Sequence, residues 1–213
     1  MDNAQASEDR EDFSSSTANA TWSRLLAGNR RFVEGKVQHP WQDKETRNSL
    51  IERQNPDAAI LSCSDSRVPP EIIFDAGLGD IFAVRTAGQM IDDAVLSSLE
   101  YAVDDLHVSL LIVMGHEGCG AIKAAVQAFE QLGPQGIAES DSYILHAVSP
   151  SVIQAHEAEL DDSADIERVH IARTIEHLVE RSTVIREALS EERLMIVGAR
   201  YELTTGKVEV LSF

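Results

Sequence analysis

The chain has 213 residues, 43% of them hydrophobic, which is enough for one substantial core and a single domain. Its 36 acidic residues against 18 basic ones give a net charge of −18. That charge repels a polyanion, and no basic stripe or aromatic-interleaved Lys/Arg cluster appears, so nucleic acid is not an expected partner.

Residues 1–20 are rich in Ser, Asp, Glu, Asn and Ala, with Phe13 as the one apolar aromatic. This composition predicts a disordered acidic tail. From Thr21 the pattern becomes helical, with Trp22, Leu25, Leu26, Phe32 and Val33 on one face and Gly35 as a stop. His39-Pro40-Trp41 interrupts it, and a short helical stretch runs on to about Gln54. Thereafter short apolar runs alternate with longer amphipathic ones. Strands are expected at 58–62, 81–85, 109–114, 194–199 and 207–212, the last entered through a Thr204-Thr-Gly206 hairpin turn. Helices are expected at 93–106, 120–132, 143–160 and 165–190. The longest carries a stripe of Ile166, Val169, Ala172, Ile175, Leu178, Val179, Ile185 and Leu189.

Near-continuous apolar strands alternating with helices predict an α/β fold. Its central β-sheet is mainly parallel and flanked by helices on both faces, with a C-terminal antiparallel edge strand and an N-terminal helical arm. No run reaches the roughly 18 apolar residues of a membrane span. The N-terminus also lacks the basic and apolar regions of a secretory signal. Cys63 and Cys119 are the only cysteines. They are too few for a disulfide framework, so a reducing cytoplasm is the expected setting.

Each cysteine opens a short motif where an apolar run ends. The first reads Cys63-Ser-Asp65-Ser-Arg67 and the second His116-Glu-Gly-Cys119-Gly. In parallel α/β folds the ligand site lies beyond the carboxyl ends of the strands. The pattern therefore brings Cys63, His116 and Cys119 to one edge of the sheet. Two thiolates and an imidazole suit zinc, and three protein ligands leave the fourth position open, as at catalytic sites. Asp65, two residues from a ligand, is placed either to occupy that position or to act beside it. Arg67 is placed to hold Asp65 away as a bidentate pair. The competing readings are two ordinary buried thiols, a disulfide, and a structural Asp65–Arg67 ion pair. Gly115, Gly118 and Gly120 read either as a tight strand-to-helix turn or as room for backbone amides to meet an anion at the next helix. His39, His107, His146, His156, His170 and His177 show no ligand spacing and receive no role. The acidic stretch 157–162 reads as a solvated helix end.

Cys63-Ser-Asp-Ser-Arg67-Val-Pro, then Gly79-Asp-Ile-Phe82-Ala-Val-Arg85, then His116-Glu-Gly-Cys119-Gly together resemble the β-class carbonic anhydrases from about Thr21 to the C-terminus. The resemblance implies one catalytic domain over 21–213 and reversible hydration of CO₂ to bicarbonate and a proton. Zn²⁺ would be held by Cys63, His116 and Cys119, and the hydroxide formed on it would be oriented by the Asp65–Arg67 dyad. It further implies Gln54, Phe82 and Tyr101 as substrate-pocket positions; the residues themselves add Gly120 beside them and leave Asp65 able to serve as fourth ligand in a closed state. The pocket would lie at a subunit interface of a homodimer or a dimer of dimers. Ala87 stands where plant-like members carry valine. Ile60 replaces the tryptophan of a bicarbonate-gated subgroup, whose other positions Arg85 and Tyr201 match. Two other functions use the same residues. One is hydrolysis of carbonyl sulfide or carbon disulfide. The other is a non-catalytic zinc or thiol sensor, against which Asp65 and Arg67 beside an open ligand position speak.

Overall fold

The computed structural model describes the backbone of residues 5–211 and the side chains from residue 17 onward. Five strands form one sheet: β1 (Ala58–Cys63), β2 (Ile81–Thr86), β3 (Leu110–His116), β4 (Met195–Tyr201) and β5 (Val208–Leu211). Their spatial order is β2-β1-β3-β4-β5, with every pairing parallel except β4–β5. The expected parallel sheet with an antiparallel C-terminal edge is what forms. Every residue of β1 and β3 is buried, as central strands covered on both faces require. Successive side chains feed opposite cores. Ile60, Ile112 and Met114 join Leu25, Phe74 and Val148 on one face. Leu61, Leu111 and Val113 join Leu99, Ile171 and Leu178 on the other.

The helices are α1 (Gln5–Val33), α2 (Lys44–Ser49), α3 (Pro70–Ile73), α4 (Asp93–Asp104), α5 (Gly120–Ala138), α6 (Tyr143–Glu157), α7 (Ser163–Arg181) and α8 (Thr183–Ser190). Where one helix was expected over 165–190, two form. Ser182 has an extended backbone and its Oγ accepts the Ile185 N–H at 3.1 Å, starting α8 in a new direction. The same hydroxyl donates to Glu100 Oε1 at 2.6 Å, which ties the break to α4. Helix α5 runs past its expected end at 132 to Ala138, through a kink at Gly133-Pro134.

The expected acidic tail over residues 1–20 lies partly outside the described residues. Within them, α1 already runs from Gln5, and Ala18 is 1% exposed, so ordered chain begins before Thr21. Part of the α1 stripe finds cover within its own chain, while Val33 stays exposed. Leu25 is fully buried, the Trp22 ring meets Phe74 edge-on at 6.1 Å, and Phe32 lies 6.5 Å from Tyr201. Asn29 donates to the carbonyls of Ile73 and Gly206 and accepts from the Val208 N–H. At Gly28 a β-carbon would sit 1.8 Å from the Phe74 carbonyl oxygen, so only glycine permits this approach.

Candidate metal centre

Cys63 is the last residue of β1 and His116 the last of β3, so ladder geometry fixes both metal-facing side chains. Cys119 follows three residues later as the N-cap of α5. Its sulfur therefore stands at the positive end of a helix. One potential ligand atom from each of the three residues lies within 4.8 Å of the other two, and all three residues are buried. Both cysteines are free thiols, so the disulfide reading falls away.

Hydrogen bonding prepares each donor. The His116 Nδ1 lies 3.0 Å from the Glu117 carbonyl oxygen. A carbonyl only accepts, so Nδ1 carries the proton and Nε2 presents a lone pair. That Nε2 is buried and has no hydrogen-bond partner. A buried orphan lone pair beside two thiols fits a soft divalent metal and is costly without one. The Cys63 sulfur accepts N–H bonds from Asp65 at 3.4 Å and Gly88 at 3.3 Å. Interaction with the Cys119 thiol lowers the pKa of Cys63 and, together with burial, raises that of Cys119. Without metal the pair thus favours one negative charge, and a divalent cation is what stabilises the second.

Asp65 and Arg67 form the expected fork. The Arg67 Nε and Nη2 donate to Asp65 Oδ1 and Oδ2 at 2.9 and 2.7 Å, and the Arg67 backbone N–H adds a third bond at 2.9 Å. The Arg67 side-chain hydrogen bond holds the carboxyl of Asp65 well below the usual carboxylate range. Behind the fork, Arg85 donates to the carbonyls of Cys63 at 3.1 Å and Asp65 at 2.8 Å, pinning the loop that carries both.

The second motif is anchored by a residue that sequence reading passed over. Glu167 on α7 is 1% exposed and accepts the Gly118 N–H at 2.7 Å on Oε1 and Arg200 Nε at 2.8 Å on Oε2. Glu117 binds the Thr204 N–H and hydroxyl at 2.8 Å, and its own N–H reaches the Tyr201 carbonyl at 2.8 Å. Glu167 was hidden because the apolar stripe of α7 drew attention from the face that is buried. That face is formed by Ile166, Glu167, His170, Ile171, Thr174 and Leu178. Arg200, a charge inside the apolar run of β4 and buried there, was the available signal for a buried carboxylate partner.

Of the remaining expected site residues, Gln54, Phe82 and Tyr101 are not gathered here. Phe82 pairs with Ala59 whereas Cys63 pairs with Thr86, four rows along β1. At about 3.3 Å per residue that is roughly 13 Å away. Phe82 and Tyr101 instead pack together, with ring centroids 6.1 Å apart, and Tyr101 is 44% exposed. Gln54 is exposed in the loop before β1. Gly120 is close to the centre, at the first residue of α5, with open space where a β-carbon would stand.

Residues 58–208 match the protein-family profile described as carbonic anhydrase. The chain belongs to the β-carbonic anhydrase family. It is 44% identical over 194 residues to the carbonic anhydrase of Mycolicibacterium smegmatis, covering 91% of this chain and 93% of that protein. Carbonic anhydrase 2 of Mycobacterium tuberculosis is 44% identical over 188 residues, covering 88% and 90% of the two chains. Among solved structures, the β-carbonic anhydrase CafA of Aspergillus fumigatus superposes with a TM-score of 0.67 at 26% identity, covering 90% of each chain. The β-carbonic anhydrases are enzymes, and the buried Cys63–His116–Cys119 cluster is this chain's metal-site candidate.

Proposed function

We propose that this carbonic anhydrase catalyses reversible hydration of CO₂ to bicarbonate and a proton, with zinc held by Cys63 Sγ, His116 Nε2 and Cys119 Sγ. The observation that carries the reading is the buried, unpartnered His116 Nε2 between two thiols, beside a carboxylate held on a two-pronged arginine fork. Zinc, when bound, supplies a water that ionises at working pH as the nucleophile for CO₂.

The chain's own residues do the positioning. Asp65 Oδ1 already takes two N–H bonds from Arg67 and Oδ2 takes one. A carboxylate oxygen has two lone pairs, so Oδ2 retains one with which to accept the proton of the attacking oxygen and aim it at carbon. Arg67 keeps the carboxylate turned from the open ligand position, which a free Asp65 would fill. Gly120 leaves room at the start of α5, where backbone N–H groups meet the developing bicarbonate charge.

Gln54, Phe82 and Tyr101 serve the pocket of a second subunit in a homodimer or dimer of dimers. The register argument supports this, because within one chain the aromatic pair lies too far along the sheet. Strand β2 is also a sheet edge, and exposed edges of this kind call for cover. No described helix is long and apolar enough to cross a membrane. Two free cysteines serving as ligands suit a reducing cytoplasm.

Stopped-flow CO₂ hydration on protein carrying about one zinc per chain tests the reading, with carbonyl sulfide hydrolysis measured alongside. CO₂ hydration well above the buffer rate is expected. No hydration by fully loaded protein would overturn it, and faster turnover of the sulfur analogue would reassign the substrate.

A further inference from the structure

His170 is the buried titratable group that the mechanism leaves unused. It sits on α7 at 3% exposure, away from the three metal-ligand candidates in sequence. Its Nε2 lies 2.8 Å from the Gly88 carbonyl oxygen and its Nδ1 lies 2.8 Å from Ser151 Oγ. The carbonyl only accepts, so Nε2 bears the proton, and Nδ1 in turn accepts from the Ser151 hydroxyl. Burial lowers the pKa of the ring, which favours the neutral form with its proton on Nε2.

Gly88 is bonded on both sides. Its carbonyl accepts the His170 Nε2–H, and its N–H donates to the Cys63 sulfur at 3.3 Å. The turn itself is not one the chain adopts freely. Gly88 has φ 67°, and the following Gln89 is a non-glycine residue at φ 40°. A side-chain-bearing residue held there is strained and persists only when its surroundings fix it. Ala121 limits the turn on another side, since a β-carbon on Gly88 would come within 2.7 Å of its methyl. The Thr86 hydroxyl closes the turn by donating to the Met90 carbonyl at 2.9 Å, and the Ser151–His170 pair is the polar clamp on the Gly88 carbonyl itself.

We propose that His170 is a positioning residue for the metal. Acting through Gly88, it holds the amide N–H that bonds the Cys63 sulfur, and so sets how firmly and with how much electron density that thiolate meets the ion. The proposal rests on the assignment of Cys63 as a ligand. An N–H bond draws density from a thiolate; released from it, the sulfur becomes more basic and less well aimed. Groups outside the direct ligand set typically change metal affinity about 10–100-fold when removed.

The test uses three variants of the full chain, with zinc affinity measured by chelator competition and the sulfur-to-metal charge-transfer band read on the cobalt(II)-substituted protein. His170→Leu keeps bulk but has no donor. His170→Gln places an amide N–H at a similar reach. Zinc binding about tenfold weaker in His170→Leu, a shifted cobalt band, and recovery of both in His170→Gln are expected. Ser151→Ala, which frees the ring, should shift the band in the same direction by less. Parental affinity and an unmoved band in His170→Leu, with only thermal stability lowered, would make His170 a core residue and overturn the proposal. If His170→Leu does not fold, an unmoved band in Ser151→Ala overturns it instead. Cys63→Ser in the same chelator assay separates the two levels: parental zinc affinity there defeats the ligand assignment, whereas large loss there with no effect at His170 defeats the positioning role alone.

Discussion

The two ends of β1 and β2 differ in what they ask of the rest of the molecule. At the carboxyl end, Cys63 has two N–H donors, His116 has its tautomer fixed, and the loop bearing Cys119 is tied to a buried glutamate, all within one chain. Toward the other end, the rings of Phe82 and Tyr101 meet at a tilt; Phe82 leans on the core, and Tyr101 is nearly half exposed. The three candidate metal ligands are brought together within one chain, whereas Tyr101 of the aromatic pair is left largely uncovered. On the proposed reading the chain divides its site, building the metal centre from its own strand ends and lending Phe82 and Tyr101 to a partner subunit.

The largest effects should come from the self-sufficient end. Cys63→Ser or His116→Ala is expected to reduce zinc from about one per chain to little, as loss of one of three ligands should. CO₂ hydration should vanish with it. Elemental analysis decides the matter, and full occupancy in both variants would mean the ligand set is wrong. Glu167→Ala leaves Arg200 buried without its closest partner, an error that typically costs about 3–5 kcal/mol. Denaturant unfolding should show a loss of that order, and a loss below about 1 kcal/mol would remove Glu167 as an anchor of the His116–Cys119 turn.

Smaller effects belong to the aromatic end. Phe82→Ser with Tyr101→Ser should weaken subunit association by at least about 2 kcal/mol, the scale of central interface anchors. Zinc per chain should stay unchanged. Light scattering across protein concentration reads the first and elemental analysis the second. An assembly as tight as the parent's would return these residues to a merely surface role.

The smallest effect is in the pH dependence of stability. His170 is neutral in the fold, with its pKa lowered by burial, whereas in the unfolded chain it takes up a proton near pH 6.5. The unfolded state thus binds more protons below that pH. The stability associated with the neutral ring is full above about 6.5 and is lost as pH falls toward the folded value. Asp65 works in a separate window. Arg67 lowers its pKa, so its contribution is present above about 3.9 and lost only in stronger acid. Unfolding curves between pH 8 and pH 5.5 should therefore slope less in His170→Gln than in the parent, and equal slopes would contradict a buried neutral ring.

The sheet and the ligands were legible in the sequence for one physical reason. Central parallel strands must be apolar throughout, so 58–62 and 109–114 stand out, and the polar motifs at their ends mark the site edge. Asp65 and Arg67 were legible because their partnership is local. What was hidden depends on contacts between distant segments. Glu167 and His170 lie on a helix face that looks too polar to be buried until Gly118, Gly88, Ser151 and Arg200 are known to meet them. The break at Ser182 was hidden because apolar periodicity continues through it, and only the Glu100 contact shows why the chain turns. The place of Phe82 relative to Cys63 required the strand register, which motif spacing does not supply.

The central claim is that Arg67 keeps Asp65 off the metal so that Asp65 can orient the attacking oxygen. Stopped-flow CO₂ hydration of Arg67→Ala, with zinc content measured on the same sample, tests it most directly. The account predicts retained zinc and a rate reduced by roughly 10²-fold or more, the scale of a lost positioning contact. A near-parental rate with zinc retained would leave the Asp65–Arg67 fork as a structural ion pair and contradict the account.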